Sequence, residues 1–60
     1  MQFYYKLTMT DGTESSDQDS VNGTWDDVKQ YVDDMRSGIT GMDIDNIDRI
    51  TVWDDNGNSY

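Results

Sequence analysis

The stretch from Thr24 to Arg36 repeats with a helical period and fixes most of what this chain can fold into. Its apolar residues are separated by three, four and three positions and form one stripe on a helix: Trp25, Val28, Val32 and Met35. Thr24 can cap the first turn, Asp27 stands beside the positive helix end, and Gly38 marks the stop. The spacing predicts a helix from Thr24 to about Gly38 that needs a core on one side.

The length of the chain and two missing residue types limit how that core can be held. The chain has 60 residues and contains neither cysteine nor histidine. A domain of this size buries roughly 60% of the surface of its unfolded chain. Without thiols or imidazoles it has no disulfide or zinc staple. We therefore expect one domain over residues 1–60, held by hydrophobic packing alone or with help from a partner subunit.

The first segment, from Gln2 to Thr10, alternates between two sets of side chains, which is typical of a half-buried strand. The residues of one face are Phe3, Tyr5, Leu7 and Met9, and those of the other are Tyr4, Lys6, Thr8 and Thr10. The dipeptide Asp11-Gly12 then predicts a hairpin with a two-residue loop. In that register Met9 faces Glu14, and the second strand, residues 13 to about 18, brings no apolar side chain to the core.

Two polar or irregular connections flank the helix. Residues 15–23 are almost entirely polar and predict a loop, so the second strand is at most a polar edge. Residues 38–46 predict an irregular connection that follows the helix. We expect Ile39, Met42 and Ile44 to turn inward from that connection toward the core.

The last strand is predicted from Ile47 to Asp54 by its alternation. Asn56-Gly57 follows and predicts a second two-residue hairpin. In that register Trp53 faces Tyr60 across the hairpin. If this strand neighbours the first one, Trp53, Tyr60 and Tyr4 share the sheet face that points away from the core.

The order of elements predicts an α+β fold in which one helix packs on a small, mostly antiparallel sheet. The arrangement is ββαβ, and the last residues can add a short fourth strand. The expected core consists of twelve residues: Phe3, Tyr5, Leu7, Met9, Trp25, Val28, Val32, Met35, Ile39, Ile44, Ile50 and Val52.

The charge of the chain indicates which classes of partner it can bind. Thirteen acidic residues face four basic ones, which gives a net charge of -9, and twelve of the thirteen are aspartate. Such a surface repels nucleic acid and anionic membranes and attracts basic proteins. The N-terminus has neither the basic start nor the apolar run of a targeting signal, and no stretch approaches the roughly 20 apolar residues of a membrane span. We therefore expect a cytoplasmic protein that contacts neither membranes nor nucleic acid directly.

The residue inventory also argues against catalysis and against a resident metal or cofactor. The chain has no histidine to act as a general base and no cysteine nucleophile. Its aspartate pairs stand in polar segments, where a carboxylate keeps a low pKa and holds no proton at neutral pH. The series Asp54, Asn56 and Asn58 begins like a calcium loop, but Ser59 occupies the position that requires glycine. We predict that the protein is not an enzyme and has no metal site.

Binding to a basic protein surface remains the favoured function. Asp26 and Asp33 are seven residues apart on the predicted helix, roughly 10 Å along its axis, and Asp27 and Asp34 repeat that spacing. Phosphates of one DNA strand rise about 3.4 Å each, so three steps cover a similar length. These four residues are the predicted main charge array. Supporting charge is expected from Asp43, Asp45, Asp48, Asp54 and Asp55, and an apolar anchor from Tyr4, Trp53 and Tyr60.

The composition resembles that of the small acidic inhibitor proteins carried by bacteriophages, although the resemblance rests on no sequence motif. It implies a phage- or mobile-element-encoded inhibitor that mimics the charge of nucleic acid and blocks a nucleic-acid-binding protein. The alternative is a structural or interaction module without inhibitory action. In that case the exposed aromatic residues would form an interface, for example of a homodimer, and the acidity would serve solubility.

Overall fold

The computed structural model describes all residues from 1 to 60 and has the predicted ββαβ order. Strand β1 (Gln2–Met9) lies between β2 (Glu14–Ser20) and β3 (Ile47–Trp53), and both neighbours are antiparallel to it. Helix α1 (Trp25–Ser37) connects β2 to β3 and packs on one face of this open sheet. A short 3₁₀ helix (Ile44–Asn46) precedes β3. The small α+β domain predicted from the sequence is therefore confirmed.

The core lies between the helix and the sheet. Its buried residues come from both layers: Phe3, Val28, Val32, Met35, Ile50 and Val52. Three further predicted core residues, Tyr5, Leu7 and Trp25, are half-buried and pack against this cluster. Met9, at the end of β1, is also half-buried. The helical stripe and the alternation of the two long strands thus predicted which residues would meet in the core.

Helix α1 begins and ends at the predicted caps. The carboxylate of Asp27 accepts a hydrogen bond from the backbone N–H of Thr24 at 2.8 Å and so pairs one donor of the helix start. Gly38 ends the helix with φ of 82°, a left-handed conformation that glycine adopts without steric cost. The helix is neither long enough nor apolar enough to span a membrane.

The first hairpin has a three-residue loop instead of the predicted two-residue loop. The backbone N–H of Met9 donates to the carbonyl of Thr13 at 2.8 Å, so residues 10–12 form the loop. Asp11 accepts hydrogen bonds from the backbone N–H and the hydroxyl of Thr13 at 2.9 and 2.7 Å. Gly12 has φ of 89°, as expected for the left-handed residue that closes a three-residue hairpin loop. The side chain of Asp11 therefore stabilises the longer loop.

The extra loop residue shifts the register of β2 by one position. Glu14 pairs with Thr8 and not, as predicted, with Met9. Because strand side chains alternate between faces, a shift of one residue turns every side chain of β2 to the opposite face. Asp17 and Asp19, which the predicted register placed on the outside, lie on the side of the helix.

Strand β2 is also longer than predicted. It continues to Ser20, so most of residues 15–23, which were expected to form a loop, belong to the sheet. Every residue of β2 is exposed, and the prediction that this strand adds no apolar side chain to the core is correct. Its pairing with β1 therefore depends on backbone hydrogen bonds more than on hydrophobic burial.

The C-terminal arm repeats the same difference from prediction. The backbone N–H of Asp54 donates to the carbonyl of Asn58 at 3.0 Å, which leaves a three-residue loop, residues 55–57. Trp53 consequently pairs with Ser59 instead of Tyr60. Tyr60 lies opposite Val52 and donates its backbone N–H to that residue's carbonyl at 2.9 Å. The predicted placement of Tyr60 on the outer sheet face is therefore wrong.

A register shift in the pairing of β1 with β3 explains why Ile47 packs against the core. The pairing moves by one position between Thr8 and Met9, so Met9 lies opposite Ile47. Such an irregularity breaks the alternation of one strand. Ile47, which the plain alternation placed on the outer face, therefore packs against the core.

Two residues of the connection from α1 to β3, Ile39 and Ile44, were predicted to lie in the core but do not. Ile39 is 75% exposed and Ile44 is 36% exposed, whereas Met42 packs against the core as expected. Glycines with positive φ stand at Gly38 and Gly41 and turn the chain across the surface before the 3₁₀ helix. These turns direct Ile39 to solvent because the chain has not yet returned to the sheet.

Candidate protein-binding surface

Six carboxylates share the side of the molecule that carries the helix, and we call them the acidic surface. They are Asp17 and Asp19 on β2 and Asp26, Asp27, Asp33 and Asp34 on α1. Five of them are exposed, and Asp34 is half-buried. Only two cations, Lys29 and Arg36, belong to the same helix. This side is therefore strongly negative in spite of its two basic residues.

Neighbouring side chains hold the carboxylates of the helix in place. Lys29 forms an ion pair with Asp26 at 3.1 Å, and Gln30 donates an amide hydrogen bond to Asp34 at 3.2 Å. The backbone N–H of Thr24 holds the carboxylate of Asp27 in the helix cap. A carboxylate offers about four acceptor positions, so each of these groups is oriented by one partner and keeps further positions for an incoming donor.

Tyr60 belongs to this surface although the sequence placed it elsewhere. Its hydroxyl donates a hydrogen bond to Asp33 at 2.7 Å, and that bond raises the pKa of Tyr60 above its usual value. The guanidinium of Arg36 lies 4.9 Å from the centre of the Tyr60 ring and donates to its main-chain oxygen at 2.9 Å. Tyr60 is 41% exposed, so the acidic surface includes one accessible aromatic ring.

Asp17 and Asp19 are the members of the surface that sequence reasoning missed. The hydroxyl of Tyr31 donates to Asp19 at 3.0 Å and connects β2 to the helix. Burial raises the pKa of Tyr31 and of Tyr5, and the nearby carboxylates raise both further. The signal that could have identified the two aspartates is the Asp11-Gly12-Thr13 sequence. Asp11 bonds to the residue two positions on, which favours the longer loop and the observed register.

The sheet face that points away from the helix, here called the outer face, has a different character. Tyr4 and Trp53 stack there with ring centres 6.2 Å apart, as the predicted pairing of β1 and β3 requires. Lys6 lies on the same face and pairs with Glu14 at 3.1 Å. Arg49, opposite Thr8, forms neither an ion pair nor a side-chain hydrogen bond. Charged residues are thus few on this face, where the two cations are balanced by Glu14 and by the Asp55 that binds the Tyr4 hydroxyl.

The two candidate groups therefore do not lie together. The helix carboxylates face one side of the domain, and the stacked pair of Tyr4 and Trp53 faces the other. A single flat partner surface can contact one of these sides at a time. Of the three aromatic residues predicted as an anchor, only Tyr60 stands beside the charge array.

The predicted supporting carboxylates divide into exposed and buried groups. Four are exposed and lie in turns, in the 3₁₀ helix or on β3: Asp43, Asp45, Asp48 and Asp55. Asp55 accepts a hydrogen bond from the hydroxyl of Tyr4 at 3.0 Å, which raises the pKa of that tyrosine. Asp54 is only 6% exposed, and its own turn occupies both carboxylate oxygens. It stabilises the terminal loop and is not available to a partner.

Hydrogen bonds from the turn account for the acidity of Asp54. The side-chain amide of Asn58 and the backbone N–H groups of Asn56 and Asn58 donate to its carboxylate at 2.9 to 3.0 Å. These bonds favour the charged form and lower the pKa of Asp54. Asp11 in the first hairpin has a lowered pKa for the same reason, because Thr13 donates to it twice. No three carboxylates of the domain converge closely enough to hold a metal ion.

Comparisons with protein-family models, with curated proteins and with solved structures found no match to this chain.

Proposed function

We propose that this protein binds the basic surface of a nucleic-acid-binding protein and blocks the access of DNA or RNA to it. The acidic surface would take the place of the nucleic-acid backbone. On this proposal the protein is a phage- or mobile-element-encoded inhibitor that acts in the cytoplasm, and its role is binding and not catalysis.

The observation that carries the proposal is the grouping of six carboxylates on one side of a very small domain. Hydrogen bonds or an ion pair fix the directions of five of them within the fold. Pre-oriented groups lose little side-chain entropy when a partner binds. Their remaining acceptor positions suit arginine, whose planar guanidinium binds carboxylates through two parallel hydrogen bonds.

Tyr60 supplies the apolar contact that charge alone cannot. Charge complementarity accelerates association and excludes wrong partners, but interface energy concentrates in a few aromatic or arginine contacts. The ring of Tyr60 is accessible and lies beside Asp33 and Arg36. We therefore assign the anchoring role to Tyr60 and leave Tyr4 and Trp53 outside this interface.

A capture experiment with matched charge variants tests the proposal. The tagged protein is incubated with bacterial lysate at physiological salt, and the captured partner is then challenged with duplex DNA. In the test variant the four helix residues Asp26, Asp27, Asp33 and Asp34 are changed to Asn, which keeps their size and removes their charge. The control variant loses the same number of charges outside the acidic surface, because Asp11, Asp43, Asp45 and Asp48 are changed to Asn.

We expect the wild type and the control variant to capture a nucleic-acid-binding protein that DNA releases. We expect the helix variant to capture at least tenfold less of it. Binding should weaken steeply as salt rises, because the attraction between the two surfaces is screened. A partner that does not bind nucleic acid, or equal capture by the two variants, would contradict the proposal.

A further inference from the structure

The outer face is a second surface that the proposed inhibitory contact leaves free. The helix covers only the opposite side of the sheet, so the stacked pair of Tyr4 and Trp53 has no layer above it. Trp53 is 37% exposed. Lys6 is held by Glu14, whereas Arg49 has no charged partner. The face therefore offers aromatic rings and an unpaired guanidinium to an incoming molecule.

These two features occupy opposite ends of the face. Arg49 and Trp53 are four residues apart on β3 and point to the same side, which separates them by about 13 Å. On β1, Lys6 lies beside Thr51, and Tyr4 lies beside Trp53. The end that carries the unpaired Arg49 is here called the basic end, and the end that carries Tyr4 and Trp53 is called the aromatic end.

We propose that a second copy of this chain binds to the outer face in an antiparallel, two-fold arrangement. A two-fold axis that crosses the strands near Thr51 places the basic end of one copy over the aromatic end of the other. Arg49 of each copy then lies over the Trp53 ring of the other. A guanidinium over an indole ring is a favourable cation–π pair, and a two-fold axis makes that contact twice.

Charge determines which sides of two copies can approach. The acidic surface holds six carboxylates against two cations, so two such surfaces repel each other. On the outer face, Lys6 and Arg49 stand against only two carboxylates, those of Glu14 and of Asp55 at the Tyr4 hydroxyl. Two outer faces can therefore meet without placing like charges of the acidic surfaces in contact. In the resulting dimer both acidic surfaces point outward and remain free.

The size of the face makes this dimer weak. Three strands of seven or eight residues cover roughly 25 Å by 14 Å. Two such faces bury about 700 Å² of flat area, less than the approximately 1,200 Å² at the lower end of stable interfaces. The whole chains also repel each other through their net charge of -9. We infer a weak association that strengthens when salt screens the repulsion.

The two tryptophans allow a direct test, because one lies on each side of the sheet. Trp53 belongs to the outer face and Trp25 to the helix. Their indole N–H resonances are recorded by NMR from about 20 μM to 1 mM protein at physiological salt, together with translational diffusion. We expect the Trp53 resonance to move with concentration, the Trp25 resonance to stay fixed and diffusion to slow. Added salt should shift the equilibrium toward the dimer, opposite to its effect on the inhibitory complex.

Two pairs of variants locate the contact. Arg49→Gln and Lys29→Gln make the same change in net charge, but Arg49 lies on the outer face and Lys29 on the helix. Trp53→Thr and Tyr60→Thr each remove an exposed aromatic ring, again from opposite sides. We expect the outer-face variants to weaken association at least fivefold and the helix-side variants to leave it unchanged.

Arg49→Gln is the decisive variant, because Arg49 is exposed and unpaired and we expect its replacement to leave the fold intact. Equal dimerisation of Arg49→Gln and Lys29→Gln would overturn the proposed arrangement. So would constant Trp53 resonances and diffusion up to 1 mM, or concentration-dependent shifts confined to the helix. None of these outcomes bears on the inhibitory proposal, which rests on the other side of the domain.

Discussion

The two sides of this domain are built from the same central strand but carry opposite chemistry. On the helix side, β1 contributes Phe3 to the core, and the neighbouring edge and helix present six carboxylates. On the outer face, the same strand contributes Tyr4 and Lys6, which stand beside Trp53 and Thr51. The comparison shows that six of the thirteen acidic residues are grouped on the helix side, whereas the outer face carries few charges.

A single extra loop residue produces much of this difference. With the two-residue loop expected from Asp11-Gly12, Asp17 and Asp19 would stand on the outer face beside Lys6 and Tyr4. With the observed three-residue loop they stand on the helix side and extend the acidic surface. Register therefore determines on which side Asp17 and Asp19 lie, because a strand has only two faces.

The largest expected effect comes from breaking the layer that joins the two sides. Val32 is fully buried between helix and sheet, and Val32→Asp places an unpaired charge there. Domains of this size have a total stability of only about 5 kcal/mol or slightly more, so the variant should be unfolded at 25 °C by circular dichroism. Thr51→Asp puts the same charge on the half-buried outer face. That variant should remain folded, and a Val32→Asp protein with an unchanged thermal midpoint would contradict the packing described here.

A smaller effect is expected from disturbing the loop that sets the register. Gly12 has φ of 89°, and no atom lies within 4 Å of an added Cβ, so Gly12→Ala meets strain in the backbone but no clash. A non-glycine residue in the left-handed region costs roughly 1–2 kcal/mol. Chemical denaturation should show a loss of about that size for Gly12→Ala and a smaller loss for Gly12→Asn. Equal stability of Gly12→Ala and the wild type would contradict the left-handed conformation of Gly12.

The smallest effect is expected from titrating the tyrosines of each side separately. Hydrogen bonds to Asp55 and Asp33 raise the pKa of Tyr4 and Tyr60 above the ordinary value of 10.0. Because the folded pKa exceeds the unfolded one, the stabilisation is complete below pH 10.0 and is lost as pH rises through the folded value. Tyrosinate absorbance should therefore appear at higher pH in the folded protein than in denaturant.

Variants can assign the two tyrosine shifts to the two sides. Asp55→Asn should lower the pKa of Tyr4 alone, on the outer face, and Asp33→Asn that of Tyr60 alone, on the helix side. A change in both tyrosines from either variant would contradict the separation of the two sides.

Patterns within single elements were readable from the sequence. The spacing of Trp25, Val28, Val32 and Met35 predicted the helix and its buried stripe, and Gly38 predicted its end. Ile39 and Ile44 were misjudged because residues 38–46 contain no periodic pattern that indicates their direction. Apolar character alone does not bury a side chain in a turn that runs over the surface.

The relative placement of side chains from different elements could not be predicted from the sequence in the same way. Tyr60 was expected beside Trp53 on the outer face, and the terminal three-residue loop placed it against Asp33 and Arg36 instead. Asp54 was expected to supply exposed charge, but it is buried in its turn, where the side-chain amide of Asn58 donates a hydrogen bond to its carboxylate. Both errors arise because the terminal loop, residues 55–57, has one residue more than predicted. Its conformation depends on side-chain hydrogen bonds that the Asn-Gly pattern alone does not indicate.

The sequence by itself determined the helix with its caps and buried stripe, the two long strands and the negative charge of this protein. These properties depend on residues within a few positions of one another, where backbone geometry fixes which side chains are neighbours. Only the tertiary structure decided that Asp17 and Asp19 join the helix carboxylates and that Trp53 and Tyr60 lie on opposite faces of the sheet. Those outcomes depend on strand register, and alternation with a period of two makes each face sensitive to a single residue in a loop.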